Sequence, residues 1–117
     1  MLILCVDDDR MVREITGDLL RELGHEVIEV ADATSALEYL RHGDEPIDLL
    51  LTDVRMPNMT GYALARKAIE QRPSLHVVYM TGQEEGVSAP GHVLRKPCTL
   101  GRLESVLTHI ERLQSAA

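Results

Sequence analysis

The 117-residue chain is long enough for one domain with a single core and too short for two. Its formal net charge of -7 argues against nucleic acid or an anionic membrane surface as the domain's own partner. The apolar residues make up 44% of the chain and are nearly all aliphatic, since there is no Phe or Trp. We therefore expect one domain, residues 1–117, with an aliphatic core.

Short apolar runs alternate along the chain with stretches of helical periodicity. The runs predict strands at about 2–6, 26–30, 47–52, 76–80 and 92–94. Apolar residues at helical spacing predict helices around 12–23, 37–40, 62–69 and 100–113. Gly24 and Thr99 are the expected stop of the first of these helices and N-cap of the last. This alternation predicts a doubly wound parallel sheet with helices on both faces.

The segment between the last two predicted strands, residues 81–91, is short for a parallel crossover, which usually needs about a dozen residues. It also contains Gly82, Gly86, Pro90 and Gly91, which disfavour a helix interior. We predict that the helix of this crossover is shortened to a turn or two, or is missing.

Two of the apolar runs end in acidic residues. Asp7 and Asp8 follow the first predicted strand, and Asp53 follows the third. In a sheet that begins in the order 2-1-3, the crevice opens between those two strands, so the three carboxylates should meet there. Like charges repel at short range, so the cluster favours a divalent cation. Mg²⁺ prefers such oxygen ligands.

The ends of the fourth and fifth strands add two further groups. Thr81 directly follows the fourth predicted strand, and Lys96 directly follows the fifth. Carboxylate, metal ion, hydroxyl and ammonium together form a phosphoryl-transfer site. Asp9 is predicted to be a helix N-cap rather than a ligand. We expect no histidine to be a phosphodonor or a metal ligand, because none has ligand spacing: His25, His42, His76, His92 and His109.

These residues resemble the receiver domain of a two-component response regulator, of the CheY-like type. The resemblance extends over essentially the whole chain. The residues that carry it are Val6-Asp7-Asp8-Asp9, Leu49-Leu50-Leu51-Thr52-Asp53-Val54-Arg55-Met56-Pro57, Gly61, Met80-Thr81-Gly82 and Lys96-Pro97. It implies a flavodoxin-like fold with five parallel strands in the order 2-1-3-4-5.

The resemblance also implies roles for the acidic residues. Asp53 would be the phosphoacceptor, which takes a phosphoryl group from a phosphohistidine on a sensor histidine kinase or a phosphotransfer protein. Asp7, Asp8 and Asp53 would hold Mg²⁺ together with the backbone carbonyl of Arg55. Such a domain catalyses only its own phosphotransfer and dephosphorylation, so it is not an enzyme in the usual sense.

Further roles follow from the same resemblance. Thr81 would bond a phosphoryl oxygen, and Lys96 would pair with the acceptor carboxylate before transfer and with the phosphoryl group afterwards. The Lys96–Pro97 bond is often cis in such domains, and proline narrows the trans preference to about 0.5–1 kcal/mol. Phosphorylation would switch the binding of a downstream protein partner. We expect no direct contact with nucleic acid or membrane.

Three positions depart from the usual pattern or modulate it. Many receivers have Tyr or Phe three residues before the site lysine, whereas this chain has Val93, which has no ring to turn inward. Together with the short crossover of residues 81–91, this predicts an output that does not use the usual fourth-helix surface. Arg55 and Gln83 would flank the path of the water that hydrolyses the phosphoryl group.

Several alternatives remain open from the sequence. A haloacid-dehalogenase-like phosphatase would use Asp7 and Asp9 as its acidic pair, although the chain is short for that fold. A pseudo-receiver would act only as a docking module. A receiver could also act alone or belong to a hybrid kinase. No apolar run resembles a signal peptide or a membrane span, so we expect a cytoplasmic protein.

Overall fold

The computed structural model describes residues 1–82 and 91–115. Within them, five strands form one parallel sheet in the order β2-β1-β3-β4-β5. The strands are β1 (Leu2–Val6), β2 (Glu26–Val30), β3 (Leu49–Asp53), β4 (His76–Thr81) and β5 (His92–Arg95). The helices of the described residues are α1 (Arg10–Glu22), α2 (Ala33–His42), α3 (Gly61–Gln71) and α4 (Leu100–Ser115). The predicted doubly wound, flavodoxin-like fold is confirmed.

Both faces of the central strands are covered, as a parallel sheet requires. One face carries Leu4, Leu50 and Val77 and packs against α2 and α3. The opposite face carries Cys5 and Val78 and packs against α1 and α4. This is why β1, β3 and β4 are continuous apolar runs in the sequence rather than alternating ones. The core of the described residues is largely aliphatic as predicted, but the aromatic residue Tyr79 is also fully buried in it.

The helix ends follow local signals in the sequence. The Asp9 carboxylate accepts hydrogen bonds from the backbone N–H groups of Met11 and Val12, so Asp9 is the N-cap of α1 as predicted. Gly24 has a φ of 91°, the left-handed conformation that commonly ends a helix. The hydroxyl of Thr99 accepts a hydrogen bond from the backbone N–H of Arg102 at the start of α4. In the described residues, no helix combines the length and apolarity needed to cross a bilayer.

Two strand boundaries differ from the predictions in a way that concerns the site. Asp53 and Thr81 are the last residues of β3 and β4, rather than the first residues after them. Pairing continues one position further than the apolar runs, because Asp53 lies opposite Met80 and Thr81 lies opposite Arg95. Both polar residues are therefore held by the sheet. The predicted loss of the fourth crossover helix falls largely on residues 83–90, which lie outside the described residues.

A single arginine joins the ends of α2 and α3. The guanidinium of Arg72, which follows α3, donates hydrogen bonds to the carbonyls of Leu40, Gly43 and Glu45 at 3.0, 3.0 and 2.7 Å. Leu40 lies in the last turn of α2, where the carbonyls have no partner within the helix, so the arginine satisfies a group that would otherwise need water. This contact fixes the connection from α2 into β3, which carries Asp53.

Replacing Arg72 with methionine should destabilise the fold. Arg72→Met removes three charge-assisted hydrogen bonds from a half-buried position, and we expect the free energy of unfolding to fall by about 2 kcal/mol. Urea denaturation checks this. Arg41→Met, at an exposed position in the last turn of α2, is the control and should change the unfolding free energy by less than about 0.5 kcal/mol. Equal effects of the two variants would contradict the role given to Arg72.

Candidate functional site

Three carboxylates meet at the carboxyl ends of β1 and β3. One oxygen from each of Asp7, Asp8 and Asp53 lies within 4.8 Å of the others. Asp7 is fully buried, Asp53 is 9% exposed, and Asp8 is exposed to solvent. The sheet creates this cluster because β1 and β3 are neighbours and Asp53 is the last residue of its strand. The structure thus brings together the three acids that the sequence predicts for the site.

The ammonium group of Lys96 lies between two of these acids. Its Nζ is 3.2 Å from Oδ2 of Asp7 and 3.3 Å from Oδ2 of Asp53. The backbone N–H of Lys96 donates to the carbonyl of Thr81 at 2.8 Å, which ties the lysine to the end of β4. The following peptide bond, Lys96–Pro97, is cis as expected. The predicted pairing of Lys96 with Asp53 is present.

The electrostatics of the pair follow from burial and proximity. Burial alone would lower the pKa of the Lys96 ammonium, but the carboxylates of Asp7 and Asp53 outweigh it and raise that pKa above its ordinary value. Burial raises the pKa of the Asp7 carboxyl, and its hydrogen bond from the Asp9 N–H and its proximity to Lys96 only partly offset this. Burial therefore disfavours ionisation of the Asp7 carboxyl, and the Asp9 N–H and the Lys96 ammonium are the groups that oppose this effect on its pKa.

The carboxylate and the backbone carbonyl of Asp7 both have polar partners. Its Oδ1 accepts the backbone N–H of Asp9 at 2.9 Å, while its Oδ2 faces Lys96. Its backbone carbonyl accepts a hydrogen bond from Nη1 of Arg13 at 2.8 Å. Sequence reasoning did not find Arg13. The sequence signal that could have pointed to Arg13 is its charge. It is a cation in the second turn of a helix, near the N-terminal end, where the helix dipole favours negative charge instead.

An open cavity of about 310 Å³ lies beside the acids. It is lined by Asp53, Val54, Arg55, Thr81, Gly82 and Lys96. Thr81 is buried, at 6% exposure, whereas the Arg55 side chain is exposed at the rim. Asp53, Thr81 and Lys96 therefore face one space, which is large enough for a small anionic group.

A glycine allows the backbone to pass close to Asp53. The N–H of Gly61 at the start of α3 donates to the carbonyl of Val54 at 2.8 Å. A Cβ at this position would collide with the backbone carbonyl of Asp53. Gly61 therefore lets α3 start directly behind the last residue of β3.

The remaining predicted positions lie around the site or outside the described residues. Val93 lies in β5 and is 42% exposed, so its side chain does not enter the core. Pro97 is next to Lys96 and contributes, with Val12 and Cys98, to a separate apolar cavity beside α1. Gln83 lies outside the described residues.

The donor set fits a magnesium ion. All three clustered ligand groups are carboxylates, and Mg²⁺ is bound in proteins through one or two such groups together with water and phosphate oxygens. Asp8 is exposed, which leaves room for water on that side. In contrast, none of the histidines or cysteines of the described residues belongs to this group. The chemistry of the site matches a hard cation rather than a transition metal.

A doubly wound sheet with three acids and one lysine at its carboxyl edge defines a site of the phosphoryl-transfer type. Comparison with known proteins gives the family. The sequence profile of the response regulator receiver domain matches residues 3–107. The chain therefore belongs to the response regulator receiver domain family, whose members have a phosphoacceptor role in two-component signalling.

Individual relatives support this membership. The chain is 34% identical to the response regulator receiver protein CpdR of Brucella abortus over 98% of both chains. It is 37% identical to the sensor protein EvgS of Escherichia coli, over 98% of this chain but 10% of that protein. Among solved structures, the receiver domain of the hybrid histidine kinase CckA has a TM-score of 0.82 at 34% identity, covering 94% of this chain and 98% of that one. The family thus includes both a relative of the same length and domains of much longer proteins.

The raised pKa of Asp7 predicts a pH-dependent stability. Because the folded-state pKa is higher than the unfolded one, ionised Asp7 makes the fold less stable once the pH exceeds about 3.9. In Asp7→Asn without divalent cations, we expect a higher free energy of unfolding than in wild type at pH 7. The difference should vanish below about pH 3. Urea denaturation at several pH values measures it.

The control for this comparison is Asp44→Asn, at an exposed loop position. It should follow the wild-type pH profile within error. A wild-type protein that is more stable than Asp7→Asn at pH 7 would contradict the assigned direction of the pKa shift.

Proposed function

We propose that the protein accepts a phosphoryl group onto Asp53 from a phosphohistidine, in a reaction that requires Mg²⁺. One observation supports Asp53, rather than Asp7 or Asp8, as the phosphoacceptor. Of the three clustered acids, it is the one that lines the cavity together with Thr81 and Lys96. Asp7 is fully buried and Asp8 is not part of that lining. A donor phosphoryl group in the cavity would meet the Asp53 carboxylate first.

The transfer is a substitution at phosphorus. An Asp53 carboxylate oxygen forms a bond to phosphorus while the bond from phosphorus to the donor imidazole nitrogen breaks, and the product is an acyl phosphate. The Lys96 ammonium, 3.3 Å from Asp53 in the free protein, can move its hydrogen bond to a phosphoryl oxygen. The Thr81 hydroxyl would bond another of these oxygens. Both groups stabilise the negative charge of the transferred group.

Asp7, Asp8 and Asp53 would hold the ion, with the backbone carbonyl of Arg55 as a further ligand. When bound, Mg²⁺ supplies positive charge that lowers the repulsion between the acids and the incoming phosphoryl oxygens. The role of the protein itself is to orient the carboxylates of Asp7 and Asp8 beside the acceptor, Asp53. The fixed geometry of Asp7 and the solvent-facing position of Asp8 suit these tasks.

The partners that we propose are a sensor histidine kinase or a phosphotransfer protein as donor and an unidentified protein as the downstream partner. The domain, residues 1–117, then acts as a switch rather than as an enzyme with a separate substrate. Arg55 lines the cavity and, with Gln83, would tune the lifetime of the acyl phosphate. Val93 would leave the output without an aromatic ring at that position. A cytoplasmic location stays a prediction.

The phosphatase alternative gains less support. It needs Asp7 as nucleophile and Asp9 as its acidic partner, yet Asp7 is buried and both of its carboxylate oxygens have partners. The Asp9 carboxylate is engaged in capping α1. A docking module without chemistry would not need a lysine placed between two acids.

Magnesium should stabilise the protein by mass action. We expect the free energy of unfolding to rise with RT ln(1 + [Mg²⁺]/Kd), which is about 2.7 kcal/mol at a hundred times Kd. Asp8→Asn removes a proposed ligand from an exposed position and should abolish most of this gain. Urea denaturation with and without Mg²⁺ measures it. Identical Mg²⁺-dependent gains in wild type and Asp8→Asn would contradict the metal site.

Replacement of the acceptor should remove phosphorylation without removing the fold. Asp53→Asn keeps the shape of the side chain but is not a nucleophile, so we expect no phosphorylated protein after incubation with acetyl phosphate and Mg²⁺. Intact mass spectrometry detects the added phosphoryl group. The control Asp44→Asn should be phosphorylated to the wild-type extent. Wild-type levels of phosphorylation in Asp53→Asn would refute the proposal.

A further inference from the structure

We propose that Arg13 is a positioning residue for the magnesium site, because it holds the turn between β1 and α1 in the conformation that directs Asp8 toward the ion. The inference rests on the proposed function, since it supposes that Mg²⁺ binds at the three acids. Arg13 lies outside the acidic cluster and contributes no ligand atom.

The guanidinium of Arg13 reaches back from α1 to the end of β1. Its Nη1 donates to the backbone carbonyl of Asp7 at 2.8 Å, and its own backbone N–H donates to the carbonyl of Asp9 at 2.9 Å. The Asp9 N–H in turn donates to Oδ1 of Asp7 at 2.9 Å. These three bonds join the first two turns of α1 to the strand end. The turn of residues 7–9 is thus fixed from both sides.

Asp8 is the acid that depends most on this turn. In the part of the chain that the structure describes, its carboxylate makes no hydrogen bond and no ion pair. Asp7, in contrast, is held by Asp9 and Lys96. The direction of the Asp8 side chain is therefore set by its backbone. The peptide plane between Asp7 and Asp8 is rigid, and the hydrogen bond from Arg13 to its carbonyl oxygen sets the orientation of that plane.

The positive charge of Arg13 by itself opposes Mg²⁺ binding. A cation near the N-terminus of a helix opposes the helix dipole, and a cation near the acids repels Mg²⁺. Its hydrogen bond to the Asp7 carbonyl is the favourable contribution that the structure offers. Positioning and charge therefore predict opposite results when Arg13 is replaced. Loss of positioning weakens Mg²⁺ binding, whereas loss of charge strengthens it.

The experiment compares Mg²⁺ affinities by isothermal titration calorimetry of the full chain. Arg13→Met should raise the Kd for Mg²⁺ about tenfold, the lower end of what the loss of an outer-shell contact costs in metal affinity. Arg10→Met is the matched control, because it removes a charge from the first turn of α1 and, among the described residues, a side-chain bond to Glu14 alone. Its Kd should equal or fall below that of wild type. Arg13→Lys keeps a donor and should bind Mg²⁺ more tightly than Arg13→Met.

The possible results of this titration separate the inference about Arg13 from the proposed function. A folded Arg13→Met protein with a Kd at or below the wild-type value overturns the inference, as does a lower free energy of unfolding without any change in Kd. If Arg13→Met does not fold, Arg13→Gln takes its place with the same expected increase in Kd. A wild-type protein that does not bind Mg²⁺ overturns the metal step of the proposed function together with the inference. Wild-type binding with an unaffected Arg13 variant overturns the inference alone.

Discussion

The ammonium of Lys96 between Asp7 and Asp53 is the interaction on which the rest of the site depends. Three carboxylates within 4.8 Å of one another repel, and one of them is fully buried. Burial and, to a smaller extent, the Asp53 carboxylate raise the pKa of the Asp7 carboxyl, and a nearby cation opposes that shift. Lys96 supplies that cation at 3.2 and 3.3 Å, and it follows β5, whereas Asp7 follows β1 and Asp53 ends β3. In the free protein, one ammonium group thus contacts both the buried acid and the proposed acceptor carboxylate.

The sheet explains why these groups meet at all. Parallel strands carry their carboxyl ends to one edge, so residues far apart in the sequence share a site. The ladder extends through Asp53 and Thr81, which places both side chains on rigid backbone rather than on loops. The hydrogen bond from the Lys96 N–H to the Thr81 carbonyl continues the ordered backbone beyond the end of β5. Phosphorylation would thus act on groups whose starting positions are well defined.

Local sequence patterns were sufficient for much of this account, since apolar runs that end in acids mark strand ends directly. The caps at Asp9 and Gly24 were also readable, because each depends on one residue and its neighbours. The strand ends were wrong by one residue, because apolarity stops at Asp53 while pairing with β4 does not. The arginine contacts were missed for a different reason. Arg13 and Arg72 bond to backbone carbonyls, so their partners cannot be identified from residue type.

We propose that the acidic cluster divides its tasks, with Asp53 as nucleophile and Asp7 as a buried ligand. The most direct test is to phosphorylate the wild-type protein with acetyl phosphate and Mg²⁺, trap the acyl phosphate by borohydride reduction, and map the modified residue by peptide mass spectrometry. The account predicts modification at Asp53 and none at Asp7 or Asp8. Modification at Asp7 would contradict it and would favour the phosphatase alternative.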